Sequence, residues 1–132
     1  MTNELYWLAL TLAATALFWL PYVLNRMVVR GVMGTLANPS PADAPLAPWA
    51  QRAKAAHANA VENLVLFAPA VLAVHATGGG DSLTTFACEL YFYSRVAHFI
   101  VYTSGIPVLR TLLFTSAWVG VVILVGRLLG IV

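Results

Sequence analysis

The chain has 132 residues, of which 61% are hydrophobic and only 9% are charged, and its mean hydropathy is +0.83. This composition is too apolar for a soluble domain of this size and predicts an integral membrane protein. The formal net charge of +2 is small and its basic residues are dispersed, which argues against nucleic-acid binding, and the single Cys88 cannot form an internal disulfide.

The first apolar segment, Leu5 to Leu24, carries no charge and has aromatic residues at both ends. This pattern is typical of a spanning helix with interfacial aromatic belts, and no small-residue cleavage site follows it, so we expect it to be retained. We predict a first helix over about 4–30, with a kink near Pro21 and an end at Gly31 and Gly34. Four prolines between residues 38 and 48 then predict an extended connection.

A second helix is predicted over about 48–77. Only residues 64–76 are continuously apolar, so a span of about 20 residues has to include the polar turn 59–63. Arg52, Asn59 and Glu62 fall at i, i+7 and i+10 and share one face. A carboxylate at this depth costs roughly 2.5–3.5 kcal/mol, so Glu62 should face a bundle interior and hold a cation. The structural alternative is an ion pair with an arginine such as Arg95 that serves folding alone.

Two further helices are predicted over about 82–103, with Ser82 as the N-cap, and 108–130. The third helix carries one polar stripe, at i, i+4, i+7 and i+11: Tyr91, Arg95, His98 and Tyr102. The expected fold is therefore an all-α integral membrane protein, a four-transmembrane-helix bundle in a single domain, 1–132. Arginine and lysine are concentrated around the first and third connections, which predicts that both lie in the cytoplasm and that both termini lie outside.

This topology brings the polar start of helix two and the polar end of helix three to the same membrane surface. The combined cations, carboxylate, amides, imidazoles and phenol suit a peptide-like thiol with two carboxylates and an amine. For His57 and His98, hydrogen bonding between helices is an equally good interpretation. The three histidines lack ligand spacing, so we expect no metal.

These residues carry a resemblance to a known family. Ala56-His57-Ala58-Asn59-Ala60-Val61-Glu62-Asn63, followed by an apolar run to Phe67, resembles the helix-two motif of the MAPEG family, the membrane-associated proteins in eicosanoid and glutathione metabolism. The family's pattern from helix three to helix four is matched by these positions: Arg95, His98, Tyr102, Gly105, Pro107 and Arg110. Asn38-Pro39 after helix one also matches, which places Arg30 where members have a ligand-binding arginine.

The resemblance implies a homotrimer that binds glutathione between subunits. The residues implied to hold glutathione are Arg30, Arg52, Asn59, Glu62, Arg95, His98 and Tyr102. Arg110 would stabilise the thiolate. Alanines at 55 and 58 stand where several members have arginines, and Thr111 and Phe114 replace a serine and a tyrosine of eicosanoid-making members, which argues against an eicosanoid-specific activity.

We therefore expect a glutathione S-transferase or peroxidase that acts on lipophilic electrophiles and serves detoxification. We expect a multi-pass protein of a bacterial inner membrane, in contact with lipids, with its active site toward the cytoplasm. A non-catalytic binding or scaffolding protein of the same fold is the alternative. A small multidrug-type transporter is the rival from another class, but such exporters carry a glutamate within helix one, and Leu5 to Leu24 has no charge.

Overall fold

The computed structural model describes all residues from 1 to 132 and contains helices but no β-strands. The helices are α1 (Asn3–Leu17), α2 (Leu20–Leu36), α3 (Pro48–Ala76), α4 (Ser82–Ser104) and α5 (Pro107–Leu128). Helices α1 and α2 follow each other as two parts of one 34-residue helical segment. The chain is therefore a bundle of four long helical segments, and the predicted fold class is confirmed.

The first segment is interrupted earlier, and continues further, than the sequence predicted. Proline lacks an N–H group and its ring clashes with the carbonyl four residues back, so Pro21 disrupts the turn before it, and α1 ends at Leu17. At the other end, Gly31 adopts a left-handed φ of 71°, yet helical structure resumes as far as Leu36. The predicted end near residue 30 was wrong because the glycine interrupts the helix for one residue without ending it.

Three helical segments are long and apolar enough to cross a membrane: Asn3–Leu36, Pro48–Ala76 and Pro107–Leu128. The fourth predicted span, α4, is not among them. Its 23 residues measure about 34 Å, which is sufficient length, but they include Glu89, Arg95 and His98. Because α4 packs against α1, α3 and α5, much of its polar surface contacts other helices instead of lipid.

Two hydrophobic clusters hold the helices together, one toward each end of the bundle. In the larger cluster, Phe67 of α3 stacks on Tyr91 of α4 with ring centroids 3.7 Å apart. In the smaller one, Phe18 stacks on Phe99 at 4.0 Å over small alanines of α3. Small residues allow helices to approach closely in membranes. Gly120 of α5 shows this directly, because a Cβ there would lie 2.7 Å from the carbonyl oxygen of Ala87.

Asp81 ends the connection between α3 and α4 and caps the start of α4. Its carboxylate accepts hydrogen bonds from the backbone N–H groups of Leu83 and Thr84, at 3.0 and 2.9 Å, so Asp81, and not Ser82, is the N-cap of α4. These hydrogen bonds lower the pKa of the Asp81 carboxyl below its usual range, and Arg127 of α5, which forms an ion pair with it, lowers the pKa further. One side chain thus caps α4 and joins it to the end of α5.

The proline-rich connection between α2 and α3 contains no helix, as the four prolines predicted. Arg30 forms an ion pair with Asp43 at 3.1 Å and donates from Nε to the carbonyl oxygen of Ala44 at 2.9 Å. The N–H of Ala47 donates to Asn25 at 3.0 Å. The connection is therefore attached to α2 at two points before Pro48 starts α3.

Candidate functional site

The start of α3, the end of α4 and the start of α5 meet at one end of the bundle, which we call the basic end. There Arg95 donates from Nη2 to Oδ1 of Asn59 at 2.8 Å, and Arg52 donates from Nε to the carbonyl oxygen of Thr103 at 3.0 Å. Both hydrogen bonds join α3 to α4. The prediction that the two polar stripes meet is confirmed.

A cavity of about 260 Å³ opens at the basic end, between α3, α4 and α5. Its lining residues are Asn59, His98, Tyr102, Arg110, Thr111 and Phe114. Four of the predicted site residues are among them. Thr111 and Phe114 were noted in the sequence only as departures from a family pattern, and their place in the lining follows from α5 packing against α4.

In and behind this lining, the polar stripe on α4 contains buried atoms that have no hydrogen-bond partner within the subunit. Arg95 is 3% exposed and His98 is 2% exposed, and Arg95 Nε, Arg95 Nη1 and His98 Nδ1 are all unpartnered. The Tyr91 hydroxyl, one turn earlier, is also unpartnered. Buried polar groups in native proteins are nearly always hydrogen-bonded, so this cluster has capacity for a polar ligand or a neighbouring chain.

Arg110 lies in the first turn of α5, which begins at Pro107 after a short turn at Gly105. Its guanidinium carbon lies 4.4 Å from the centroid of the Tyr102 ring. The first turn of a helix has free backbone N–H groups and the positive end of the helix dipole, both of which favour an anion. The cavity therefore combines a guanidinium with a helix N-terminus.

Four predicted site residues do not line the cavity, and one of them, Arg95, lies buried behind it. Arg30 is engaged by the connection, and Arg52 is engaged by α4 and lies against Gly105. Glu62 is exposed on α3 and forms no ion pair, so the structural alternative of a pair with Arg95 is wrong within one subunit. Asn59 and Glu62 are about 60° apart around the helix, enough for Asn59 to face α4 while Glu62 faces outward.

Two polar residues outside the cavity, His57 and Glu4, form hydrogen bonds between helices. His57 accepts or donates through Nδ1 in a 2.9 Å hydrogen bond with the Tyr22 hydroxyl, so the alternative of hydrogen bonding between helices describes His57. Glu4, which lies just before the first apolar run, is only 6% exposed, and its carboxylate accepts from the hydroxyls of Thr84 and Thr85. No local pattern in the sequence indicated this contact, because its partners lie about 80 residues later in the chain.

A model of the MAPEG family matches residues 5–130, nearly the whole chain. The chain belongs to the MAPEG family. Comparison with curated proteins and with solved structures gives no match. Membership places this bundle among membrane proteins of glutathione or eicosanoid metabolism, and the basic end is the part of the MAPEG bundle that carries the motif residues.

The opposite end of the MAPEG bundle holds a larger cavity, of about 950 Å³. Its lining includes three carboxylates, those of Glu4, Asp81 and Glu89, together with His75. Negative charge at this end disfavours a ligand with carboxylates and a thiolate. No group of three or more histidine, cysteine, aspartate or glutamate side chains is arranged to hold a metal ion. The basic end is therefore the better candidate site.

Proposed function

We propose that this MAPEG protein is a glutathione-dependent transferase or peroxidase that acts on lipophilic electrophiles at the basic end. The observation that carries the proposal is the cavity in which Arg110, at the start of α5, faces Asn59, His98 and Tyr102. These groups offer a cation for a thiolate and hydrogen-bond partners for a peptide backbone. The unpartnered nitrogens of Arg95 add donors for an acidic ligand.

The fit of glutathione to one subunit is incomplete in a specific way. Cavities that enclose a drug-sized ligand measure roughly 300–1,000 Å³, whereas this one measures about 260 Å³. No carboxylate lines it, so one subunit offers no partner for the ligand's ammonium group. Glu62 of a neighbouring subunit would supply one. These two deficits support a site between subunits, and the family resemblance implies that the assembly is a homotrimer.

The proposed reaction starts from the thiol. A free thiol has a pKa of about 8.5, so only a few per cent is thiolate at neutral pH. Arg110 would stabilise the thiolate, and the thiol proton would pass to water at the membrane surface. The thiolate then attacks an electrophile that arrives through the lipid, forming a carbon–sulfur bond as the leaving group departs.

With a lipid hydroperoxide, the thiolate would attack the terminal oxygen. The oxygen–oxygen bond breaks, and the alkoxide takes a proton and leaves as an alcohol. A second glutathione thiol then reduces the sulfenic acid, which yields glutathione disulfide and water. Both reactions need the same activated thiolate and no metal.

The orientation proposed for the site is cytoplasmic, in a bacterial inner membrane. Single cysteines at Ser40 and Ser82, in a Cys88→Ala background, should be labelled by an impermeant maleimide from opposite faces of sealed vesicles. Ser40 should react from the cytoplasmic face, because the arginine and lysine bias lies around its connection. Labelling of both positions from one face would contradict four spans.

The function itself is tested with purified protein in lipid nanodiscs, supplied with glutathione and either a chlorodinitrobenzene or a fatty-acid hydroperoxide. We expect saturable turnover that S-methylglutathione, which lacks a free thiol, cannot support. Glutathione binding without turnover on any electrophile of a broad panel would favour the non-catalytic alternative. Absence of glutathione binding would overturn the proposal.

A further inference from the structure

The Arg110 side chain is held in the cavity by an aromatic ring. The structure records no ion pair and no side-chain hydrogen bond for its guanidinium, and its defined polar contact is the face of the Tyr102 ring at 4.4 Å. A free arginine side chain samples many rotamers, and ordering it costs more entropy than ordering most other side chains. The aromatic face is therefore the contact that favours one orientation.

The Tyr102 ring is itself fixed by its surroundings. It meets the buried His98 edge to face, with centroids 5.6 Å apart, and packs against the smaller hydrophobic cluster. The N–H of Gly105 donates to the Tyr102 carbonyl oxygen at 3.0 Å, which sets the short turn from α4 into α5. The Tyr102 ring is therefore held next to the start of α5, where the Arg110 guanidinium lies over it.

We propose that Tyr102 is a positioning residue whose ring face directs the Arg110 guanidinium into the cavity, and that the ring, not the hydroxyl, carries this role. The inference rests on the proposed function and deepens it, since it assigns the orientation of the activating cation. A guanidinium bound over an aromatic face keeps its N–H donors in its own plane, free for an anion. This role differs from the direct glutathione contact that the family resemblance implies for Tyr102.

The test replaces Tyr102 in a graded series and titrates the ultraviolet absorbance of bound glutathione thiolate in nanodiscs. The series is Tyr102→Phe, the same position with phenylalanines carrying one to three ring fluorines, and Tyr102→Leu. Phenylalanine keeps the attractive face without the hydroxyl, fluorine withdraws charge from that face at nearly constant size, and leucine removes it.

We expect Tyr102→Phe to retain the thiol pKa of the wild type, because it keeps the ring face. Loss of the hydroxyl, a hydrogen-bond partner for glutathione, should appear as a higher glutathione KM instead. Each added fluorine should raise the pKa of the bound thiol stepwise. Tyr102→Leu should raise it by about one unit, which is a tenfold loss in the thiolate equilibrium. The rate constant kcat at neutral pH should fall with the thiolate fraction, while the glutathione KM changes less among the fluorinated variants.

Three results would overturn the proposal: a bound-thiol pKa as high in Tyr102→Phe as in Tyr102→Leu, a flat fluorine series, or a thiol pKa that falls as fluorine is added. The last would mean that the ring competes with the thiolate for the cation. The fluorinated variants keep the test valid if Tyr102→Leu does not fold. Arg110→Ala, measured alongside, separates the two proposals: an unchanged thiol pKa there would show that the proposed role of Arg110 itself had failed.

Discussion

Arg110 is the residue on which the proposed chemistry depends most. It is the arginine that lines the basic-end cavity, and it does so from a helix N-terminus. We expect Arg110→Ala to lower kcat/KM by roughly 100-fold, because loss of one group that stabilises a developing anion typically has an effect of that order. Arg110→Lys should recover part of the activity, since it keeps the charge but not the planar fork.

The control for this prediction is Arg127→Ala. Arg127 is also an arginine of α5, but it pairs with Asp81 at the other end of the bundle. Its loss should leave turnover by folded protein unchanged. Equal effects of the two substitutions would show that any arginine of α5 acts through stability and would remove Arg110 from the chemistry.

The hydrogen bond from Arg95 to Asn59 makes a second prediction at the residue scale. Arg95 is almost fully buried and Asn59 is its one hydrogen-bond partner within the subunit. Asn59→Ala should lower the free energy of unfolding by about 1–3 kcal/mol, the usual range when a buried charged donor loses its partner. Asn59→Asp should retain most of the wild-type free energy of unfolding, because a carboxylate also accepts a hydrogen bond from a guanidinium.

Asn63→Ala is the matched control, since the Asn63 amide donates to Asn59 within α3 and does not bridge to another helix. Reversible unfolding in mixed micelles would compare the variants. If Asn59→Ala and Asn63→Ala are equally stable, the contact between α3 and α4 at Asn59 contributes nothing measurable.

At the scale of helices, side chains at the helix ends join α1, α4 and α5 to one another. Asp81 caps α4 and pairs with Arg127 of α5, and Glu4 of α1 accepts hydrogen bonds from the first turn of α4. Three helices are therefore joined at the opposite end through side chains of one short segment. The capping interactions also explain why α4 starts at Ser82 and not later.

The lowered pKa of Asp81 predicts a dependence of stability on pH. A carboxylate bound more tightly when ionised stabilises the folded state fully above its unfolded pKa, which is about 3.9 for aspartate. This contribution is lost as pH falls from about 4 through the lower folded pKa. The melting temperature of the wild type should therefore decrease over this acidic range.

Asp81→Asn isolates the effect. Asparagine still caps a helix, but it neither titrates nor pairs with Arg127 as an anion. The variant should melt lower than the wild type at pH 7, and the difference should shrink as pH falls below 4. A difference that stays constant down to pH 2 would show that the Asp81 charge contributes nothing.

For the whole molecule, the exposed position of Glu62 and the small cavity both favour an assembly of several subunits. A carboxylate facing lipid costs roughly 2.5–3.5 kcal/mol even on lenient scales. A second copy could both cover Glu62 and complete the cavity. Because the family resemblance implies three subunits, we expect native mass spectrometry in mild detergent to show trimers.

Glu62→Gln should weaken glutathione binding by about 1–3 kcal/mol if the carboxylate meets the ammonium group across the interface. Glu89→Gln is a suitable control, because Glu89 lines the cavity at the opposite end. Isothermal titration would measure both. Unchanged affinity in a trimeric Glu62→Gln protein would leave Glu62 with a role in assembly alone.

The sequence by itself determined the class of the protein and most of its helices. Hydropathy identifies spans because a backbone in lipid has to satisfy its own hydrogen bonds, and prolines at 48 and 107 marked the helix starts. The stripe on α4 followed from helical periodicity, and Arg95 and His98 are indeed buried. These features are local, so one helix at a time was enough to predict them.

Only the tertiary structure decided which polar residues meet. A rotation of about 60° between Asn59 and Glu62 separates a residue that binds Arg95 from one that faces outward, and periodicity cannot show where a neighbouring helix will lie. The partner of Arg30 could not be predicted either. Asp43, which forms an ion pair with it, lies in a connection that has no helical periodicity. The contact of Arg110 with Tyr102 depends on the turn that sets α5 against α4, which is a property of packing between helices.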